Sequence, residues 1–240
     1  MTVPTTQPTS EEESVFFFDC DNCLYTQRPL LQHKSAGIAH LMGERIQAYF
    51  KRMGFPEEKA RVLHQRYYLD YGLAIRGLVK HHEVDPVDYD REVDGGLPLE
   101  DLLKPDPELR KMLQELKMKK WVFTNAGLAH AKRVLKILDI EDQFDGITYV
   151  DYSEPDFSCK PEPPYYFRAM KEAGISDHSK CYLVDDSAGN IDTAFKLGWT
   201  TVHVADNPQQ STFGHYQIEN IIDLPHVLPH LWALDNHIEQ

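Results

Sequence analysis

Val15-Phe16-Phe17-Phe18-Asp19-Cys20-Asp21 is the stretch on which the reading of the fold turns. Four apolar residues in a row, without polar alternation, read as a strand covered on both faces, as in a parallel sheet. The run stops abruptly at a carboxylate. Trp121-Val122-Phe123 stops in the same way at Thr124-Asn125, Ile147-Thr148-Tyr149-Val150 at Asp151, and Cys181-Tyr182-Leu183-Val184 at Asp185-Asp186. Thr200-Thr201-Val202-His203-Val204 is a fifth candidate strand. Helical patterns lie between these runs. Pro107-Glu108 opens a helix with Leu109, Met112, Leu113 and Leu116 on one face, and Leu128 to Leu138 carries Val134, Leu135 and Leu138. Pro164 to Lys171 ends before Gly174, and Asn190 to Leu197 is stopped by Gly198. Proline near a helix start and glycine past its end is the expected asymmetry. Strand alternating with helix predicts an α/β fold with a doubly wound, Rossmann-like parallel sheet.

Residues from about 27 to 104 break the alternation. They hold no buried-strand run, but Ile38, Leu41, Ile46, Tyr49 and Phe50 fall at helical spacing, as do the stretches Val62 to Leu69 and Leu73 to Val79. This predicts a helical domain inserted after the first strand, with hinges at Gln27–Leu30 and Leu102–Pro105. The expected organisation is a polar tail over 1–13, a core over 14–26 plus 105–240, and the helical insert over 27–104. The 240 residues carry Lys+Arg 25 against Asp+Glu 38, a net charge of −13. That balance argues against a nucleic-acid polymer or an anionic membrane as partner. No stretch approaches a membrane span, and the N-terminus lacks the basic and apolar regions of a signal peptide. With Cys 4 and no disulfide pattern, a reducing compartment is expected, cytoplasm or nucleus. Cys20-x-x-Cys23 is a poor redox pair, because Asp19 and Asp21 flank Cys20 and disfavour its thiolate.

Ligands of open α/β sheets bind beyond the carboxyl ends of the strands. That rule gathers Asp19, Asp21, Thr124, Asn125, Asp185 and Asp186 at one rim. Two like charges about 4 Å apart repel by about 4 kcal/mol at an effective dielectric of 20. A cation or a proton has to relieve the crowding. Oxygen ligands with no histidine or cysteine cluster favour Mg²⁺, and Mg²⁺ on a few carboxylates suits a phosphorylated substrate. Each piece alone also has a bland reading. Asp-x-Asp is common in turns, Asp185-Asp186-Ser187 and Thr124-Asn125 are also helix caps, and Lys160 is also a solvated surface lysine.

Taken together and in order, these segments resemble the haloacid dehalogenase-like hydrolases. Phe18-Asp19-Cys20-Asp21-Asn22-Cys23-Leu24-Tyr25 is similar to the family's first motif, Phe123-Thr124-Asn125-Ala126 to its second, Cys159-Lys160-Pro161 to its third and Val184-Asp185-Asp186-Ser187 to its fourth. The stretch Tyr71-Gly72-Leu73-Ala74-Ile75-Arg76-Gly77-Leu78, with Asp-Asn-Cys-Leu-Tyr, also resembles the fungal pyrimidine 5′-nucleotidases of that superfamily. The resemblance implies a phosphomonoesterase. Asp19 would be the nucleophile, Asp21 the general acid and base, and Thr124, Asn125 and Lys160 the phosphate-binding groups. Asp19, the Asp21 backbone carbonyl and Asp186 would hold Mg²⁺. The doublet leaves open whether Asp185 binds the ion directly or through water. Asp21 favours a phosphatase over a dehalogenase and leaves a mutase open. Asp21 is expected to be partly protonated when substrate binds.

The helical insert would be the cap that closes over the substrate. Tyr67, Tyr68, Tyr71 and Arg76 are its candidates for gripping a base and sugar, although Tyr67, Tyr71 and Leu78 also fit simple helix packing. The expected substrate is a pyrimidine nucleoside 5′-monophosphate, UMP or CMP. Another phosphometabolite, or a non-catalytic nucleotide-binding protein on the same fold, is the alternative. Oligomeric state is not legible.

Overall fold

The computed structural model describes residues 13–25 and 37–232. The expected tail, apart from Glu13, and the Gln27–Leu30 hinge lie outside the described residues. Among the described residues six parallel strands form one sheet in the order β3-β2-β1-β4-β5-β6. They are β1 (Val15–Phe18), β2 (Lys119–Phe123), β3 (Gly146–Thr148), β4 (Cys181–Asp185), β5 (Thr200–Val204) and β6 (Tyr216–Ile218). Strand β1 is central, with Phe18 in register with Val122 on one side and Val184 on the other. The order of strands reverses at β1, so the crevice beyond its carboxyl end is the switch point where such sheets bind ligands.

The apolar run of β1 explains why it sits there. Val15 and Phe17 belong to one buried cluster, with Tyr165, Ala194 and Trp199. Phe16 and Phe18 point the other way, among Leu113, Val134 and Val184. Phe17 stacks on Trp199 with ring centroids 4.8 Å apart. Burying each such ring is worth about 1.5–3 kcal/mol, and only a strand covered on both faces can bury four consecutive apolar side chains.

Among the described residues five helices lie between β1 and β2: α1 (Ile38–Arg52), α2 (Glu57–Tyr71), α3 (Ala74–His81), α4 (Pro86–Glu92) and α5 (Leu99–Leu102). Then come α6 (Pro107–Glu115), α7 (Leu128–Ile137), α8 (Pro163–Ala173), α9 (Ala188–Lys196) and α10 (Leu224–Val227). Phe50, Tyr67, Ile75 and Leu78 of the insert join the same buried cluster as Phe17, and Ile38, Leu97 and Leu99 join that of Phe16 and Phe18. Helix α2 ends at Gly72, whose φ of 77° is left-handed. A Cβ at Gly72 would lie 2.2 Å from the Lys160 carbonyl oxygen, so this corner presses directly on the Lys160 loop.

Two strand expectations shift. The run through Val150 is a strand only as far as Thr148, beyond which the Val150 N–H donates to the Ala126 carbonyl of the loop after β2. Strand β6 has no counterpart in the sequence reading, since three residues at a sheet edge are too few to show a pattern.

Candidate functional site

Asp19 continues β1 by one ladder bond, its N–H donating to the Val184 carbonyl at 3.0 Å. Its side chain is nearly dry and meets the ammonium of Lys160, which reaches back from the loop before α8. Lys160 Nζ is fully buried and has three acceptors: Asp19 Oδ1 at 2.7 Å, Asp185 Oδ2 at 2.6 Å and the Phe123 carbonyl at 2.7 Å. Those acceptors match the three donors of an ammonium. Burial opposes the charge on Lys160, but Asp185 and Asp19 outweigh it and hold its pKa above the usual lysine value.

Asp19, Asp185 and Asp186 each offer a carboxylate oxygen within 4.8 Å of the others. One ammonium does not neutralise three carboxylates. Burial, with Asp185 and Asp186 reinforcing it against Lys160, pushes Asp19 well above the ordinary carboxylate range. Burial and then Asp185 raise Asp186 to about 7. This donor set, all hard oxygens and short of positive charge, fits a divalent cation of the Mg²⁺ type. The two members of the doublet are not equivalent. Asp185 Oδ1 accepts from the Ser187 N–H and from Asn190 Nδ2, and Oδ2 accepts from Lys160 and Asn190. Asp185 is therefore already surrounded by donors, which leaves Asp19 and Asp186 the freer ligands.

Asp21, two residues on from Asp19, lines the same cavity. Its Oδ1 accepts from the Tyr25 hydroxyl at 2.6 Å and lies 2.7 Å from His130 Nε2. Burial pushes Asp21 upward, but the charge and hydrogen bond of His130 and the Tyr25 hydroxyl outweigh it, and its pKa lies below the ordinary value. His130 is correspondingly raised to about 9: burial opposes its charge, and Asp21 overrides that opposition. In the free protein the proton thus rests on His130, not on Asp21. The sequence reading missed His130. Its one signal was a polar residue one turn before Val134, on the apolar side of α7.

Thr124 and Asn125 follow β2 as expected, and they behave differently from each other. Thr124 Oγ1 accepts from the Ala126 N–H, which leaves its own proton to donate. Asn125 grips the main chain of Lys160 at both ends, Nδ2 donating to the carbonyl at 2.9 Å and Oδ1 accepting from the N–H at 2.7 Å. Asn125 therefore holds the Lys160 loop, and one of its two amide hydrogens is committed to the Lys160 carbonyl. Cys20 and Cys23 are buried free thiols raised by burial and by neighbouring carboxylates, so neither is poised for redox chemistry.

A cavity opens over this rim. Asp19, Asp21, Thr124, Asn125, Lys160 and Asp186 line it from the sheet's rim, and Met42, Ile46, His64, Tyr68, Leu73, Ile75, Tyr89 and Asp94 line it from the insert. Of the insert residues expected to grip substrate, Tyr68 lines it. The other expectations need correcting. The Arg76 guanidinium binds Asp156 at 2.9 Å and Glu162 at 3.2 Å, on the loop flanking Lys160, and lies over the Phe157 ring. Tyr71 hydrogen-bonds His81 at 2.7 Å, and Tyr67 lies 3.0 Å from His82 within the insert. Both follow the packing alternative, and Arg76 ties the insert to the core.

Residues 14–198 match the haloacid dehalogenase-like hydrolase family. The chain belongs to that family. It is 38% identical over 225 residues to Phosphate metabolism protein 8 of Saccharomyces cerevisiae, covering 88% of this chain and 66% of that protein, just under two thirds of the relative's length. Among solved structures it is similar to CbbY from Rhodobacter sphaeroides in complex with phosphate, with a TM-score of 0.61 and 16% identity over 89% of this chain and 96% of that one. The HAD-hydrolase YfnB from Bacillus subtilis bound to magnesium gives 0.56 and 16%, over 91% and 100% of the two chains. At such identities the structural likeness speaks for the fold. Among the described residues no helix is long and apolar enough to cross a membrane.

Proposed function

We propose that this hydrolase is a Mg²⁺-dependent phosphomonoesterase that works through an aspartyl phosphate on Asp19. The observation that carries the reading is Asp19 lining the cavity, paired with Lys160, within reach of the acidic pair Asp185-Asp186 and sharing the cavity with Asp21. Asp19 and Asp186, with the Asp21 backbone carbonyl, would hold Mg²⁺, which when bound supplies positive charge against the phosphate oxygens. Lys160 keeps Asp19 oriented and adds its own charge to the transition state, and the Thr124 hydroxyl donates to a phosphate oxygen. A carboxylate oxygen of Asp19 bonds to phosphorus as the ester P–O bond breaks. Asp21 gives a proton to the departing alcohol oxygen. It takes up that proton from solvent once the substrate's negative charge stands beside it, because a like charge raises a carboxyl pKa. Asp21 then removes a proton from the water that attacks phosphorus, and Asp19 leaves as a free carboxylate.

The substrate class we propose is a pyrimidine nucleoside 5′-monophosphate. The cavity's apolar and aromatic wall, with Tyr68, Tyr89, Leu73 and Ile75, suits a flat base, and the sequence resemblance points the same way. A yeast relative named for phosphate metabolism and a neighbour bound to magnesium support the broader chemistry. The test is phosphate release from UMP, CMP, AMP and sugar phosphates, with Mg²⁺ and with chelator. Release from UMP and CMP that needs Mg²⁺ and is lost in Asp19→Asn is the expected result. Turnover in chelator defeats the metal, and turnover of sugar phosphates alone defeats the substrate class. A panel with no release, but with nucleotide-induced thermal stabilisation, favours a binding protein.

A further inference from the structure

We propose that His130 is a positioning residue for Asp21: with Tyr25 it pins one carboxylate oxygen so that the other is presented to the leaving group. The inference rests on the phosphomonoesterase reading and assigns a role to a residue outside the four motifs. His130 lies on the first turn of α7, and its side chain is 2% exposed. Nε2 sits 2.7 Å from Asp21 Oδ1, and the Tyr25 hydroxyl sits 2.6 Å from the same atom. Two donors from segments far apart in the chain therefore converge on a single oxygen. Among the described residues Oδ2 has no hydrogen-bond partner. Asp21 lines the cavity and keeps 19% of its side chain exposed, so Oδ2 is the oxygen a bound substrate can meet.

The need for such a grip follows from where Asp21 lies. It belongs to the turn after β1, not to the sheet, and an ungripped aspartate there would sample several rotamers. A general acid has to stand within hydrogen-bond reach of the leaving oxygen, and a displacement of about 1 Å can cost about 10²-fold. His130 supplies the fixed point because α7 is anchored by buried Ala131, Val134 and Leu135. The role does not depend on its charge, since Nε2 donates both in the imidazolium and in the neutral Nε2–H tautomer. Among the described residues the buried His130 Nδ1 has no hydrogen-bond partner, so a second bond within them is not what keeps this ring in place.

The experiment compares His130→Gln with His130→Asn. The glutamine amide reaches about as far as Nε2, whereas the asparagine amide reaches only as far as Nδ1. UMP and p-nitrophenyl phosphate serve as substrates, the second having a leaving group that hardly needs an acid. The rate of aspartyl-phosphate formation is read from single turnovers and bursts, and folding from thermal melts. His130→Asn is expected to lower the rate with UMP by about 10²-fold with KM within about threefold, while the p-nitrophenol burst slows less than about fivefold. His130→Gln should recover at least tenfold of the loss with UMP. In an Asp21→Asn background the same Asn substitution should cost less than about twofold more, since the group it positions is already gone. Equal losses on the two substrates, no difference between Gln and Asn, or full additivity with Asp21→Asn would overturn the positioning role. A wild type that releases phosphate from neither substrate would overturn the functional reading with it, and this control is read before any variant.

Discussion

Lys160 and Arg76 are both cations held almost wholly out of water, one at the rim of the sheet and one on the insert, yet their surroundings differ in kind. Lys160 is shared between Asp19 and Asp185, whose side chains are 9% and 0% exposed. Arg76 is shared between Asp156 and Glu162, which are 92% and 30% exposed. Removing a cation from dry partners strands a buried charge, whereas wet partners return to solvent at little cost. The rim thus stores electrostatic tension that chemistry can use, and the insert uses charge as an attachment. The Asp156–Glu162 span that Arg76 binds contains Lys160 itself, so the attachment also fixes the loop carrying the buried ammonium.

The largest test of that contrast is Lys160→Met. It should abolish measurable phosphate release, a loss of at least about 10³-fold, and cost about 3–5 kcal/mol of stability without added metal. Calorimetry in chelator should show this as a melting temperature lower by about 10 °C. A variant that melts with the wild type would mean that the Lys160 pairs are not coupled to the fold.

Asp94 sharpens the comparison from the insert's side. It is a buried carboxyl with no bonded cation among the described residues, and burial raises it to about 7. The folded protein therefore keeps a proton that the unfolded chain loses near its ordinary value. The stability this confers is complete below about pH 4 and is lost as pH rises through about 7. Asp94→Asn cannot ionise, so relative to the wild type it should gain about 2–3 kcal/mol between pH 5 and pH 8.5. Urea titrations of both proteins at the two pH values give the difference, and a difference independent of pH would mean that Asp94 is ionised in the fold.

Arg76→Met carries the smallest effect on stability. About 1 kcal/mol, or a melting temperature lower by roughly 2–4 °C, is expected, because both carboxylates can be rehydrated. Turnover should still fall several-fold, since the Gly72 corner that follows Arg76's tether sits against the Lys160 carbonyl. A stability loss as large as that of Lys160→Met would erase the distinction between the two regions.

Much of this arrangement could be read before any coordinates. Phe16 to Phe18 and the runs ending at Phe123 and Val184 announced strands buried on both faces, and the residues after them arrived at one rim. Helices α6 and α8 start within a residue of their proline signals, and α8 and α9 stop just before Gly174 and Gly198. Arg76 illustrates the opposite case. An arginine among tyrosines suits a nucleotide and suits a pair of carboxylates equally well, and local sequence does not say which lies opposite. Asn125 is similar: its position beside Thr124 was legible, but its hold on the Lys160 main chain was not.

The sequence alone determined where the chain would be apolar enough to enter a parallel sheet, and hence which carboxylates would crowd its edge. Those are properties of short segments, set by burial and by helix capping. Only the tertiary structure decided how the charges are shared: Lys160 saturated by three acceptors, Asp185 occupied and Asp186 freer, Asp21 bound to His130 and Arg76 turned to the core. Each of those outcomes depends on which groups meet across tens of residues of chain, and hydrogen-bond partners and local dielectric exist only once the segments have been brought together.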